Sequence, residues 1–418
     1  MGQVLAQGIA RPQRTDALGR YYTKPDIGSL LVDQMDGHIP RRLLDLGAGA
    51  GSLSSAAYNR WRDIDLLTVD IDAVASSHLE EKFTSLMGER HFHYQADVLS
   101  DQLFEILGAG LEIDTALCNP PFTAPEWRSG FSEMLESAGF SGCLPVLSEV
   151  DAALLFLAQN LRLTSEAAKV GIILPDTLIS ASKYKTFREV LLDRYSVEKV
   201  VRLPRRAFQK TDALASIVIL NKGRATGDEV PLYRFSSEVG ISQALFVPKD
   251  AAIARLDYEY HSHHVKGLQG EKSKAISELG VELKRGWYSS SQLKNMSAPV
   301  LHTSNLNESS FGKWMDFSSY SISDGDYAGL GSPVRASPGD IIIARVGRNL
   351  ESKIVGVESG FPMLSDCLYR LRCPANHRDN LLRQLCSEAG QAWIVSRVYG
   401  VSARQLSKSD LMGFPLSF

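Results

Sequence analysis

Residues 43–51 have the sequence LLDLGAGAG, in which an apolar strand leads into a loop of small residues. The strand carries an acidic residue, Asp45, and the loop contains Gly47, Ala48 and Gly49 before a helix that we expect to begin near Ser52. Glycine lets the backbone turn tightly and approach a ligand with no side chain in between. The stretch therefore predicts either a ligand-binding loop at the end of a strand or only a tight strand-to-helix turn.

The alternation of strand and helix continues along the first half of the chain. Apolar residues at helical spacing predict helices between several strands, for example at residues 150–163 and 186–194. This alternation indicates an α/β fold, with a mostly parallel sheet covered by helices on both faces and ligands bound at the carboxyl ends of its strands. The predicted strands are residues 42–46, 66–71, 92–96, 115–118, 170–174, 197–203 and 216–220.

Acidic residues also lie at the ends of the next two predicted strands. Asp70, followed by Ile71, comes about twenty residues after the glycine loop, where a carboxylate can bind the two hydroxyls of a ribose. Asp97 can hydrogen-bond an adenine amino group, and Val98 can cover the ring. We predict an adenosine pocket at this edge of the sheet. The alternative is three solvated acids at strand ends.

A rigid polar loop, Asn119-Pro120-Pro121-Phe122, follows the strand at residues 115–118. Two prolines fix φ and remove two backbone donors, so the loop presents acceptors, the Asn119 side-chain oxygen and the Pro120 carbonyl. Two acceptors suit an exocyclic NH₂ group, and holding both hydrogens frees its lone pair to attack a methyl group. Phe122 offers a face for a base taken out of its stack. The alternative is a plain Pro-Pro turn.

The second half of the chain has more Gly, Ser and Asn and shorter predicted strands, at residues 340–346 and 368–371, with one helix at residues 376–397. We predict a separate α+β domain, with a boundary between residues 225 and 265. Residues 266–418 contain 18 Lys and Arg against 14 Asp and Glu, a net charge of +4, whereas residues 1–265 carry −7. A basic C-terminal part is compatible with DNA binding without proving it.

Two arginines are candidates for DNA contact in that second half. Arg345 and Arg348 lie in a loop after the predicted strand at residues 340–346. Arginine bound through two hydrogen bonds to guanine is the commonest specific base contact. A phosphate contact or a surface ion pair fits the same pattern equally well.

The composition is that of an ordinary globular protein, with 44% hydrophobic and 22% charged residues, which excludes a disordered, collagen-like or coiled-coil chain. No apolar run reaches the roughly 18–20 residues of a membrane helix, and the first ten residues do not resemble a signal peptide. Five scattered Cys without a CxxC predict reduced thiols in a cytoplasmic protein. His261, His263 and His264 lack zinc-site spacing, so we predict a solvated turn there and no metal.

The motifs of residues 1–225 resemble those of the gamma-class adenine-N6 DNA methyltransferases. In that family the segment Gly19-Arg20-Tyr21-Tyr22-Thr23 would cap the methionine end of S-adenosylmethionine, although Lys24 stands where proline usually follows the threonine. The resemblance implies a Rossmann-like methyltransferase sheet, and it assigns catalysis to Asn119, Pro120, Pro121 and Phe122. The cofactor-binding residues that it implies are Tyr22, Thr23, Asp45, Gly47, Ala48, Gly49, Asp70, Ile71, Asp97, Val98 and Asn119.

The C-terminal part resembles half of a type I restriction specificity subunit. The resemblance lies in residues 337–347 (SPGDIIIARVG), residues 364–366 (LSD) and the ending Gly400-Val401-Ser402 with Leu406. Residues 255–260 resemble the connector that joins methylase and specificity parts in fused systems. The expected organisation is a methyltransferase domain at residues 1–225, a connector at 226–265 and a DNA target-recognition domain at 266–418.

These resemblances imply transfer of a methyl group from S-adenosylmethionine to adenine N6 in double-stranded DNA, as the modification component of a restriction-modification or related phage-defence system. The expected partners are DNA and a separate restriction endonuclease or defence subunit, with no membrane. The same pocket could instead methylate a glutamine side chain or an RNA adenine. A third interpretation is a DNA-binding specificity protein with an inactive methylase domain.

Overall fold

The computed structural model describes residues 25–108, 110–143, 150–208, 213–266, 273–293, 299–320, 333–400 and 403–418. The sequence motif at residues 19–23, which includes Tyr22 and Thr23, lies outside these residues. Within the described ranges, no helix has both the length and the apolar character needed to cross a membrane.

The first half of the chain forms one large sheet, in which ten strands of the described residues take part. Its main path has the order β10-β8-β6-β7-β5-β4-β1-β2-β3, and β9 pairs with β8. Strands β1 to β5 are parallel to one another, and β7 runs antiparallel between β5 and β6. The strands are β1 Arg42–Leu46, β2 Asp65–Asp70, β3 His91–Gln95, β4 Thr115–Cys118, β5 Lys169–Pro175, β6 Ser196–Arg202, β7 Ala215–Asn221, β8 Glu229–Ser236, β9 Gly240–Ile241 and β10 Leu245–Pro248.

Helices cover both faces of this sheet, because successive strand residues point alternately to opposite sides. Leu44 and Leu46 of β1 belong to one apolar core, whereas Leu43 belongs to the core on the other face. The predicted α/β fold with helices on both faces is thus confirmed. The helices are α1 Pro25–Asp33, α2 Ser52–Arg60, α3 Ala73–Met87, α4 Leu103–Leu107, α5 Gly130–Ser137, α6 Ala152–Leu163, α7 Asp176–Ser180, α8 Lys185–Arg194, α9 Lys249–Ala254 and α10 Tyr258–Lys266.

The segment expected to be a connector contributes to this sheet. Strands β8 and β10 pair with each other, and β8 pairs in parallel with β6. The sheet therefore continues to Pro248, and a truncation made at residue 225 would remove three of its paired strands, β8, β9 and β10.

The second half is α+β, as predicted, and has its own apolar core. Its five-stranded sheet has the order β12-β19-β15-β17-β14, with β15 between two antiparallel neighbours. The strands are β11 Ser273–Ala275, β12 Glu282–Arg285, β13 Val300–Leu301, β14 Trp314–Asp316, β15 Ile341–Ala344, β16 Val346–Gly347, β17 Ile354–Ser359, β18 Met363–Leu364, β19 Leu368–Arg372, β20 Arg404–Gln405 and β21 Pro415–Ser417. The helices are α11 Ser290–Leu293, α12 Arg378–Cys386, α13 Glu388–Arg397 and α14 Lys408–Met412.

Two local predictions are wrong. The single helix at residues 376–397 is broken at Ser387, which is extended and whose hydroxyl accepts the Gly390 N–H at 3.1 Å as a cap for α13. His261 is buried in α10 rather than solvated, and its Nε2 is hydrogen-bonded to the Arg255 carbonyl oxygen at 2.8 Å. The polar sequence of that segment did not indicate that His261 would be buried next to the charged side chains of Asp257, Arg255 and Arg397.

A pair of histidines on the edge strand β3 should make stability depend on pH. The Thr68 hydroxyl is hydrogen-bonded to His91 Nε2 and to His93 Nδ1, each at 2.9 Å. Burial, with the neighbouring charge of His93, lowers the pKa of His91 to about 4. In the unfolded chain the imidazole gains its proton near pH 6.5, so below that pH the unfolded state binds more protons and stability falls as the pH falls.

Because of His91, we expect the free energy of unfolding to fall by about 1–2 kcal/mol when the pH is lowered from 7 to 5. Urea unfolding at both pH values would measure the loss in the wild type and in His91→Gln. The variant should lose less stability on acidification than the wild type. Equal losses in the two proteins would show that His91 takes up its proton equally in both states.

Candidate active site

The glycine loop between β1 and α2 has the backbone that its composition predicts. Gly47, Gly49 and Gly51 have φ of 74°, 53° and 72°, in the left-handed region that favours glycine. A Cβ on Gly51 would lie 2.7 Å from the Leu79 side chain, whereas a Cβ on Gly49 would have no atom within 4 Å. The loop is thus packed against α3 on one side and open at Gly49.

Asp45 lies beneath this loop. Its carboxylate oxygen Oδ2 accepts hydrogen bonds from the Ser54 hydroxyl at 2.6 Å and the Ser54 N–H at 3.2 Å. Burial raises the pKa of Asp45 to about 7 despite these bonds. Asp45 therefore ties the end of β1 to the first turn of α2 and orients the loop between them.

Asp70 ends β2 on the open side of the loop. Its Oδ2 accepts the Gly49 N–H at 2.7 Å, and its Oδ1 accepts the Asp72 N–H at 2.8 Å. A carboxylate offers about four lone-pair positions, so capacity remains for two ligand hydroxyls. The next residue, Ile71, leaves 51% of its surface exposed, which provides apolar surface beside the carboxylate.

Asp97 follows β3 and has a partner that the sequence did not indicate. Its Oδ1 accepts the Leu99 N–H at 2.9 Å, and its Oδ2 forms an ion pair with Arg128 at 2.6 Å. The Arg128 guanidinium lies 5.1 Å from the centre of the Phe131 ring. Val98 is buried, so the structure places it in the core and holds the Asp97 carboxylate at the sheet edge.

The loop Asn119-Pro120-Pro121-Phe122 begins at the end of β4, which is paired with β1. Adjacent parallel strands bring their carboxyl ends together, so this loop lies beside the glycine loop. Asn119 and Phe122 are half-buried, and Pro120 is buried. The Thr123 carbonyl, directly after the loop, accepts the Ala152 N–H at the start of α6 at 2.7 Å.

A second aromatic residue, Phe208, lies against this loop. Its ring is edge-on to Phe122, with centroids 5.9 Å apart and planes at 84°. Phe208 is buried and follows β6, a strand that runs in the direction of β5 and so ends at the same edge. Phe208 was not predicted from the sequence. It could have been indicated by its position, as an aromatic residue shortly after a strand that ends at the site.

The described residues therefore bring Asp45, the glycine loop, Asp70, Asp97 and Asn119–Phe122 to one edge of the sheet. The open space at Gly49 beside the Asp70 carboxylate and the exposed Ile71 fits the ribose and base of an adenosine group. Within the described part of the chain, no group of His, Cys, Asp and Glu is arranged to hold a metal ion.

The two predicted DNA-binding arginines lie in the second half. Arg345 is half-buried, and its Nε donates to the Asp366 carbonyl at 2.8 Å, whereas Arg348 is exposed. Both flank β16, which pairs with β20. Their contact with DNA remains a prediction.

The sequence matches the family described as N-6 DNA Methylase over residues 7–264, which is more than half of the chain. The chain belongs to the N-6 DNA methylase family. The resemblance of its motifs to adenine-N6 methyltransferases is thereby confirmed, and the matched part extends beyond residue 225 to include β8, β9, β10 and most of α10.

Of two curated relatives of this N-6 DNA methylase, only one carries a substrate in its name. The type II methyltransferase M.BsuBI of Bacillus subtilis is 24% identical over 237 residues, 50% of this chain and 45% of that protein. A tRNA1(Val) (adenine(37)-N6)-methyltransferase of Flavobacterium psychrophilum is 32% identical over 124 residues, 29% of this chain and 51% of that protein. The chain thus spans about half the length of the curated relatives that it matches.

One solved structure is similar over nearly the whole N-6 DNA methylase chain. The type IIG restriction endonuclease BpuSI shares 12% identity, with a TM-score of 0.53, over 96% of this chain and 59% of that protein. This likeness concerns the fold alone, and it includes both the α/β half and the α+β half.

Proposed function

We propose that this protein transfers a methyl group from S-adenosylmethionine to the N6 nitrogen of adenine in double-stranded DNA, as the modification component of a restriction-modification or related phage-defence system. One observation carries the proposal: Asn119–Phe122 ends β4 directly beside the glycine loop that ends β1. Asn119 and Pro120 would thus offer an acceptor pair for an amino group next to the loop that we propose holds an adenosine group.

Asp70 would accept hydrogen bonds from the ribose hydroxyls of the cofactor, and Asp97 from the amino group of the cofactor's adenine. The backbone around Gly49 would lie against the cofactor. When bound, S-adenosylmethionine supplies a methyl group on a positively charged sulfur. Asn119 and Pro120 would each accept one hydrogen of the adenine amino group, which keeps its lone pair out of conjugation with the ring. Phe122 would stack on the extruded base.

DNA is favoured over RNA by the C-terminal half of the chain. The match to the tRNA methyltransferase covers 29% of the chain, whereas the basic residues 266–418 lie outside the family match. A recognition domain of this size, with net charge +4, suits a duplex whose sequence must be chosen. The tRNA relative nevertheless makes an RNA adenine the second candidate substrate.

We further propose a cytoplasmic location and a separate endonuclease partner.

Expression in a host without adenine methylation tests the proposal. Single-molecule sequencing of the host DNA should find N6-methyladenine at one recurring sequence, and mass spectrometry of its tRNA should find no added methyl group. Asn119→Ala, expressed to the same level, is the matched control and should leave the DNA unmodified. Unmodified DNA with newly methylated tRNA in the wild-type host would overturn the DNA assignment.

Replacing Asp70 by alanine should weaken cofactor binding by about 1–3 kcal/mol, the range for stranding hydrogen-bonding groups of a ligand. The variant also loses the acceptor of the Gly49 N–H, so part of the effect comes from the loop. Calorimetry with S-adenosylhomocysteine would measure the affinity. Asp70→Asn keeps one oxygen acceptor and should lose less. Unchanged affinity in Asp70→Ala would place the ribose contact elsewhere.

A further inference from the structure

One buried carboxylate joins the two halves of the chain. Asp176 begins α7 directly after β5 and has no exposed surface. Its Oδ2 accepts the Gly400 N–H from the C-terminal half at 3.0 Å. Its Oδ1 accepts a hydrogen bond from the Arg202 guanidinium at the end of β6, and another from the Ser180 hydroxyl at 3.2 Å.

On the C-terminal side, Gly400 is tied to the loop with the predicted DNA-binding arginines. Tyr399, directly before it, exchanges two backbone hydrogen bonds with Gln405, at 3.0 and 2.7 Å. Gln405 belongs to β20, which pairs with β16, the two residues that directly follow Arg345. The Arg345 carbonyl also accepts the Leu406 N–H at 2.9 Å. A displacement of this loop would therefore carry the Gly400 N–H with it.

On the methyltransferase side, Arg202 lies six residues before Phe208. The Leu203 N–H donates to the Ala215 carbonyl at 3.0 Å, which holds the start of this segment against β7. Phe208 at its end packs edge-on against Phe122 of the proposed catalytic loop. A shift of Arg202 would therefore be transmitted over a short segment to the aromatic pair at the site.

We propose that Asp176 is a positioning residue that couples DNA recognition by the C-terminal half to the catalytic loop. The inference rests on the proposed function. A buried carboxylate that loses one charged or N–H partner is left with an uncompensated charge, which is costly, so its bonds to Gly400 and Arg202 favour one joint arrangement. Binding of the correct sequence by the arginine loop would stabilise that arrangement and hold Phe208 and Phe122 in place for the extruded base.

The alternative is that Asp176 only stabilises the fold, and the rate of methyl transfer on two DNA duplexes distinguishes the two roles. One duplex carries the sequence that the methylation sequencing identifies, and the other carries it with one base pair changed outside the target adenine. In Asp176→Asn, kcat on the correct duplex should fall at least about tenfold, while kcat on the changed duplex and the affinity for S-adenosylhomocysteine stay within about twofold. A structural role would lower both kcat values by the same factor, which would overturn the proposal.

Asp257→Asn is the matched control. Asp257 is also a buried carboxylate paired with an arginine, Arg255, whose guanidinium reaches the Arg397 carbonyl of the C-terminal half at 2.8 Å. Its carboxylate is hydrogen-bonded to Arg255 and to the Glu259 N–H. Among the described residues it acts on Arg202 of β6 only through its charge and not through a hydrogen bond, so its ratio of kcat values on the two duplexes should stay close to that of the wild type. A fall in that ratio as large as in Asp176→Asn would overturn the proposed route through Arg202.

Arg202→Lys tests the same link from the other side, since it keeps the charge but loses the planar donor group. In this variant kcat must fall selectively on the correct duplex, as in Asp176→Asn. An equal fall in kcat on both duplexes would overturn the proposal, even if Asp176→Asn does not fold. A wild-type protein that methylates neither duplex would contradict the proposed function itself. If the wild-type protein methylates the correct duplex faster than the changed one, and the variants keep the same ratio of kcat values, only the proposed role of Asp176 is contradicted.

Discussion

Replacing Asn119 by alanine should lower methyl transfer by at least about 10²-fold, the range for loss of a group that acts mainly in the transition state. The adenine amino nitrogen is a poor nucleophile while its lone pair is shared with the ring. Removing one of the two acceptors leaves the Pro120 carbonyl to hold a single hydrogen. Cofactor affinity should change little, because the glycine loop and Asp70 remain. Single-turnover assays with radiolabelled S-adenosylmethionine would measure the rate, and calorimetry the affinity.

Asn119→Asp is the control for this prediction. It keeps an oxygen acceptor on a side chain of the same length, so it should lose less activity than the alanine variant. If Asn119→Ala retained full turnover, Asn119 would be only a turn residue of the Pro-Pro loop. If both variants lost cofactor binding as well as turnover, the loop would act mainly by shaping the cofactor site.

The seven strands predicted in the first half were placed to within about a residue, because each is a largely apolar run bounded by polar or turn residues, whereas β8, β9 and β10 were not predicted. The predicted strand at residues 42–46 is β1, and the one at 115–118 is β4. The glycine loop was predictable for the same local reason, since three glycines in five residues match three backbone positions with positive φ. The positions of these loops were thus predictable from local residue types, and the parallel pairing of the strands brings the loops to one edge of the sheet.

The partners of these loops depend on contacts between distant residues. Arg128 reaches Asp97 across 31 positions of sequence, and Gly400 reaches Asp176 across 224. Hydrophobic periodicity carries no information on such pairs, because it reports which face of an element is buried and not what lies opposite. Asp45 shows the same limit: its place at the end of a strand was predictable, but not that it bonds to Ser54 beneath the loop.

Replacing Gly51 by alanine should destabilise the folded protein by about 2–5 kcal/mol. Two effects add: a residue other than glycine at φ 72° costs roughly 1–2 kcal/mol, and an extra methyl group in a packed core costs roughly 1–3 kcal/mol. The new Cβ would lie 2.7 Å from Leu79 and 2.9 Å from Phe83, both buried on α3. Urea unfolding followed by tryptophan fluorescence should show a lower midpoint with an unchanged slope.

Gly49→Ala separates the strain of the loop from its role in binding. Its φ of 53° is also left-handed, so the backbone cost is similar, but its Cβ would meet no atom within 4 Å. Stability should therefore fall by only about 1–2 kcal/mol, the backbone cost alone. The added methyl group would instead enter the open space beside Asp70, so affinity for S-adenosylhomocysteine should fall at least about tenfold, or 1.4 kcal/mol. If Gly49→Ala binds the cofactor as tightly as the wild type, that space is not where the cofactor lies, and the site must be sought along another part of the sheet edge.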